Sequence, residues 1–220
     1  VANILTNITN CTSYRPTIHV LLWIITTIFV SGCSSLADKN WVATQVTSPA
    51  AASAWELQGK LAVKSSKESF STNLYWLHTP DNDELKLTTM LGTSVLTLSS
   101  REGYAKLEVD GNSYEGDDPQ ALLNRLGHWQ FPLTQLPQWI LGIVSDDYQV
   151  SRDVNGRPLQ LTDARVLPPW RIQYQGWQPQ SGTTVPRLLR LDRGNLQLKI
   201  QLNQWQALTN VQVPMDNQRL

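Results

Sequence analysis

The 220 residues hold only two cysteines, Cys11 and Cys33, and three histidines, which excludes a disulfide scaffold and makes a His/Cys zinc centre a poor expectation. His78 and His128 have no Cys or carboxylate neighbours at metal-ligand spacing, so no metal is expected. An excess of charge of one sign is missing as well. Eighteen Lys and Arg face eighteen Asp and Glu, and the cations form no block, which excludes the basic footprint of a nucleic-acid binder and a polybasic membrane patch. The chain has no Gly-rich phosphate loop, no Gly-x-Gly-x-x-Gly fingerprint and no Gly-x-Ser-x-Gly elbow. No cofactor is expected, and an enzyme is disfavoured. The pairs Asp117-Asp118 and Asp146-Asp147 each precede an expected helix or strand, where capping or turn formation accounts for them. A catalytic triad assembled from distant Ser, His and Asp residues stays open at this level.

Long apolar runs are also lacking. Ile18–Val30 spans 13 residues, short of the roughly 20 a membrane helix needs but suited to the apolar region of a signal peptide. Arg15 precedes it and Val30-Ser31-Gly32-Cys33 ends it, so residues 1–32 are expected to be a cleaved signal peptide; a short buried helix or an uncleaved anchor is the alternative. The tetrapeptide resembles the lipobox of bacterial lipoproteins. That resemblance implies Cys33 as the acylated first residue of the mature chain and outer-membrane lipid as its anchor. Each acyl CH₂ buried there contributes about 0.8 kcal/mol. By the sorting rule of Gram-negative lipoproteins, Ser34 in place of Asp implies delivery to the outer membrane, facing the periplasm.

What is present is strand periodicity. Residues 33–54, rich in Ser, Thr and Ala, read as a lipidated tether, and the folded domain is expected over 55–220. Trp55, Leu57, Leu61 and Val63 alternate with polar neighbours, and the pattern returns at Phe70-Leu74-Trp76, Leu85-Leu87, Leu96-Leu98, Ala105-Leu107-Val109, Leu159-Leu161, Ile172-Tyr174, Leu189-Leu191 and Leu196–Leu202. Many short strands joined by turns predict a mainly β fold with a strongly curved antiparallel sheet or barrel. Asp118 as N-cap, Pro119 at the first position and Gly127 at the end frame one short helix. Leu133, Leu136, Ile140 and Leu141, closed by Gly142, frame another. Two amphipathic helices need a surface to cover, and a face of the sheet is available.

Eight of the nine Trp lie beyond residue 32. They either fill a core or line an apolar space. The segment 86–98 (KLTTMLGTSVLTL) reads as a hairpin whose tip, Met90-Leu91-Gly92, is apolar where Asn-Gly or Asp-Gly is usual. Such a tip either folds back on the core or is exposed for a purpose.

The segment Gln138-Trp-Ile-Leu-Gly142, preceded by Pro132-Leu133, resembles the LolB family of outer-membrane lipoprotein receptors. Gln58-Gly-Lys-Leu-Ala62, Leu74-Tyr-Trp76, Leu91-Gly-Thr93 and Pro169-Trp-Arg-Ile-Gln-Tyr174 are similar to further family segments in the same order. The resemblance covers roughly residues 55–205. It implies an open antiparallel half-barrel lidded by short helices, like that of the periplasmic carrier LolA. The implied function is a monomeric receptor that accepts acylated lipoprotein cargo from a LolA-like carrier into an apolar cavity and inserts it into the outer membrane. Transfer would run down a gradient of affinity without nucleotide. Leu74, Trp76, Trp139, Ile140, Trp170 and Ile172 are then the expected acyl-chain cavity, and Met90, Leu91 and Gly92 the expected membrane-insertion loop, with Met90 where relatives can have proline. The family also implies basic residues docking the carrier, for which Arg165, Arg171, Arg187 and Arg190 have the right charge. The competing expectation is a lipid-anchored scaffolding domain that binds another envelope protein and fills its interior with its own side chains.

Overall fold

The chain from Trp41 to Asn210 builds one twelve-stranded antiparallel sheet, most of whose strands alternate apolar and polar residues, seen in a computed structural model that describes residues 41–125 and 131–211. The strands are β1 (Trp41–Thr44), β2 (Ala54–Lys64), β3 (Ser69–His78), β4 (Asn82–Thr88), β5 (Ser94–Arg101), β6 (Tyr104–Val109) and β7 (Asn112–Gly116). Two short helices follow, α1 (Pro119–Arg125) and α2 (Leu136–Ile140). The chain then returns to β8 (Gln149–Arg152), β9 (Pro158–Asp163), β10 (Trp170–Tyr174), a β11 (Trp177–Gln180) to β12 (Thr183–Pro186) hairpin, β13 (Leu188–Arg193) and β14 (Leu196–Asn210). Spatial order is β7-β6-β5-β4-β3-β2-β14-β13-β10-β9-β8, with β1 on β14 and the β11–β12 hairpin as a separate ribbon. The sheet is open and curved, as expected from the sequence.

One face carries the core. Leu57, Leu61, Leu74, Trp76, Leu85, Leu87, Leu96, Leu98 and Leu107 are buried on neighbouring strands, and Leu161, Ile172, Leu189, Leu191, Leu198 and Ile200 continue the wall. Each buried leucine contributes about 1.5–3 kcal/mol, so this wall dominates stability. A bulge between Leu202 and Gln204 shifts the parity of β14. Leu198, Ile200 and Leu202 point inward before it, and Trp205 and Ala207 after it.

Three expectations are corrected. Residues 41–54, read as tether, are folded: β14 is 15 residues long and outruns β13, and the edge left bare at Ala207–Asn210 is taken by Trp41–Thr44. Val46 N–H donates to Ser181 O at 2.8 Å and fixes the following segment to the β11–β12 turn. Leu159, expected to share an inward face with Leu161, is exposed instead. The register shift between Ser151 and Arg152 turns it outward and buries Pro158. His78 does have a carboxylate neighbour: strand pairing sets it opposite Asp83, with Nδ1 and Oδ1 2.8 Å apart. Cys33, Ser34, Gly127 and His128 lie outside the described residues.

The helices form as their end signals require. Asp118 Oδ1 accepts from the Gln120 and Ala121 N–H groups at 2.8 and 3.3 Å, and Pro137 sits in the first turn of α2. Antiparallel order sends alternate turns to opposite rims. The β2–β3, β4–β5, β6–β7, β9–β10 and β13–β14 connections share what is termed the upper rim; β3–β4, β5–β6 and β8–β9 share the lower rim.

Candidate functional site

The two helices lie as a lid on the inner wall because each has one apolar face. α1 buries Leu122 and Leu123, and α2 buries Leu136, Trp139 and Ile140. Helices of seven and five residues are not stable alone and persist here only through that contact. α1 is tied to the segment leading into α2 by Gln120, whose Nε2 donates to Phe131 O at 2.9 Å and whose Oε1 accepts from Leu133 N–H at 2.9 Å. Among the described residues the polar tie from α2 to the sheet is Tyr174 Oη–H, which donates to Trp139 O at 3.1 Å. Burial pushes the Tyr174 phenol above its ordinary range, so it stays a neutral donor at physiological pH.

The structure brings the six expected cavity residues into one buried cluster. Leu74, Trp76 and Ile172 come from the wall, Trp139 and Ile140 from the lid, and Trp170 from the first position of β10. Trp139 meets Trp170 edge-on at 6.3 Å and Tyr148 at 6.1 Å, while Trp76 meets Trp55 at 5.4 Å. Trp76 Nε1 donates to Asp83 Oδ1 at 2.8 Å, the carboxylate also bound by His78, a pairing that residue spacing did not suggest. Trp139 Nε1 is buried with no hydrogen-bond partner among the described residues, a situation that costs about 1–3 kcal/mol.

Of the six, Trp170 lines a cleft of about 430 Å³ between the lid and the β9–β10 connection, together with Gln120, Phe131, Asp163, Val166 and Arg193. Asp163, Trp170 and Arg193 are strand ends on the upper rim, so the cleft opens there. Removing the hydroxyl with Tyr174→Phe is expected to cost only about 1 kcal/mol, because Trp139 O keeps the Gly142 N–H at 3.0 Å. The freed lid is expected to admit a fatty-acid probe faster in stopped-flow fluorescence.

The apolar hairpin tip does not fold back on the core. Met90 is 72% and Leu91 96% exposed at the upper rim. Thr89 N–H donates to Thr93 O at 2.8 Å, Gly92 N–H to Thr89 O at 3.0 Å, and Asn73 Nδ2 to Thr89 O at 3.0 Å. Gly92, at φ +86°, supplies the left-handed turn that closes the loop. The apolar side chains are therefore held out in water by a hydrogen-bonded frame.

The four candidate arginines do not form one cluster. Arg171 and Arg190 are exposed on the outer face of adjacent strands, opposite Asp192 and Gln173 in register. Arg190 pairs with Asp192 at 3.1 Å. Arg165 lies in the upper-rim β9–β10 connection, and Arg187 at the lower-rim end of β13. Among the described residues no three His, Cys, Asp or Glu side chains come together as a metal site would need.

An open curved sheet with two short helices is the fold that the LolB resemblance implies, and the comparison with known proteins decides the family. Residues 53–205 match the family described as "Outer membrane lipoprotein LolB". The chain belongs to the LolB family. Proteins named outer-membrane lipoprotein LolB from Shewanella woodyi and Shewanella sediminis are 48% and 47% identical over 201 and 200 residues, covering 90% of this chain and 94% and 91% of theirs. The LolB protein of Shewanella baltica is 49% identical over 183 residues, 82% of this chain and 86% of its own. Among solved structures, a LolA-superfamily protein from Nitrosomonas europaea overlays with a TM-score of 0.45 at 9% identity, covering 74% of this chain and 88% of that chain. LolB membership makes this chain an outer-membrane lipoprotein receptor acting in lipoprotein localisation in a Gram-negative bacterium.

Proposed function

We propose that the chain takes acylated lipoproteins from a LolA-like periplasmic carrier, seats their acyl chains between the inner wall and the lid, and passes them into the outer membrane at the upper rim. The observation that carries this reading is the lid: a predominantly apolar wall is covered by two helices too short to be stable alone. Acyl chains satisfy that wall as well as Leu136, Trp139 and Ile140 do, so cargo can displace the lid at little net cost in apolar burial. Opening also lets the Trp139 N–H meet an acceptor. Leu74, Trp76, Ile172, Trp170, Trp139 and Ile140 then face the chains, with Cys33 as the anchor and Ser34 as the sorting residue. Met90 and Leu91 supply the membrane contact for release.

The test is transfer in purified components. A carrier loaded with an acylated lipoprotein is mixed with the receptor, and cargo is expected to co-purify with the receptor in proportion to the amount added. A solvatochromic fatty acid is expected to give a saturable blue shift, competed by the cargo. An unresponsive probe together with cargo left on the carrier would return the molecule to the scaffolding reading.

A further inference from the structure

The upper rim presents another exposed leucine. Leu167 is 87% exposed in the β9–β10 connection. Single exposed leucines are ordinary; what distinguishes this one is how firmly its neighbours are held. Buried Asp163 accepts from Arg165 Nε at 2.8 Å, from Nη2 at 3.0 Å and from the Arg165 N–H at 3.1 Å. The same guanidinium donates to Tyr148 Oη at 2.6 Å and lies 4.5 Å from the Tyr148 ring. Val166 packs against the core, and Pro168 O accepts from Arg193 Nε at 3.2 Å. Residues on both sides of Leu167 are therefore braced while its side chain is left in water.

Its position adds the second observation. Leu167 follows Val166 and precedes Trp170, both of which line the cleft that opens at this rim. Leu91 stands on the same rim, with β4, β3, β2, β14, β13 and β10 between the two loops. At about 4.8 Å per strand the two tips are roughly 29 Å apart along the sheet. Each tip is one or two side chains, far below the roughly 800 Å² per partner of a protein interface, whereas a bilayer accepts isolated apolar wedges.

We propose that Leu167 is a second lipid contact, so that the upper rim docks on a phospholipid surface at two separated points and holds the cleft mouth against it. This deepens, and rests on, the proposed release of cargo at that rim. A single tip leaves the body free to rock about it; a second contact beside the cleft fixes which opening faces the lipid.

The experiment places a bimane label at Leu167→Cys, Leu91→Cys or Val154→Cys in the membrane-extracted full-length protein. Each is reconstituted in phosphatidylethanolamine–phosphatidylglycerol vesicles with brominated acyl chains. Val154, fully exposed in the β8–β9 turn on the lower rim, is the control. Quenching at 167 and 91 but not at 154 is the expected result. Quenching at 91 alone overturns the second contact and leaves the proposed function standing; quenching at 154 as well overturns a rim-directed docking; no quenching at 91 or 167 removes both. Leu167→Glu, with its unfolding midpoint unchanged, is expected to slow cargo release into vesicles about tenfold while acceptance from the carrier is unaffected. Unchanged release overturns the inference.

Discussion

Gly59→Ala is expected to cost about 3 kcal/mol or more of folding stability, a large fraction of the 5–15 kcal/mol typical of a domain. A Cβ on Gly59 would sit 2.1 Å from the carbonyl oxygen of Gln201, a separation no real Cβ contact reaches. The neighbour is backbone, so it cannot rotate away as a side chain would. Gly59 pairs with Leu202 at the edge of the bulge in β14. The Leu202 N–H is committed to Arg187 O at 2.9 Å, and its carbonyl accepts Gln178 Nε2 at 2.9 Å. Moving Gln201 aside breaks those bonds and disturbs the parity switch that turns Trp205 inward. Urea denaturation followed by Trp fluorescence measures the loss; a midpoint equal to that of the parent chain would mean the bulge relaxes freely.

Leu91→Glu is expected to separate the two halves of the transfer reaction. Leu91 touches almost nothing in the folded chain, so stability and acceptance of cargo from the carrier stay at parent levels. Release into vesicles should fall by roughly thirtyfold, the equivalent of about 2 kcal/mol of lost apolar burial. Met90 remains beside the new carboxylate, leaving some residual contact. Two assays with one variant decide it: cargo bound to receptor after mixing with the loaded carrier, and cargo recovered in floated vesicles. Normal recovery in vesicles would deny the tip a role in insertion.

Periodicity made most of the fold legible. Apolar alternation placed β2–β6, β9, β10, β13 and β14 but not the short β1, β7, β8, β11 and β12, Asp118 and Pro119 opened α1, and Leu136, Ile140 and Gly142 framed α2. Each of these is a local rule with a period or cap that single residues satisfy. The same rule failed at Leu159, because a bulge adds a residue to one strand and leaves no mark in the apolar pattern. It also failed at residues 41–54, whose Ser, Thr and Ala composition reads as coil. What folds them is a bare strand edge supplied by Ala207–Asn210, far away in sequence.

The site divides in the same way. The sequence by itself determined that Met90-Leu91-Gly92 is an apolar turn, that the chain beyond residue 32 is rich in tryptophan, and which segments are similar to LolB. Only the tertiary structure decided that the tip projects, because exposure depends on the frame built by Thr89, Thr93 and Asn73 across a hairpin and its neighbouring strand. Only it gathered Leu74, Trp76 and Ile172 under Trp139 and Ile140, and set Asp83 against both Trp76 and His78. Composition and period are carried by neighbours along the chain; the lid's contact with the wall and the shared rim of Leu91 and Leu167 come from strand order, which joins residues the chain itself keeps apart.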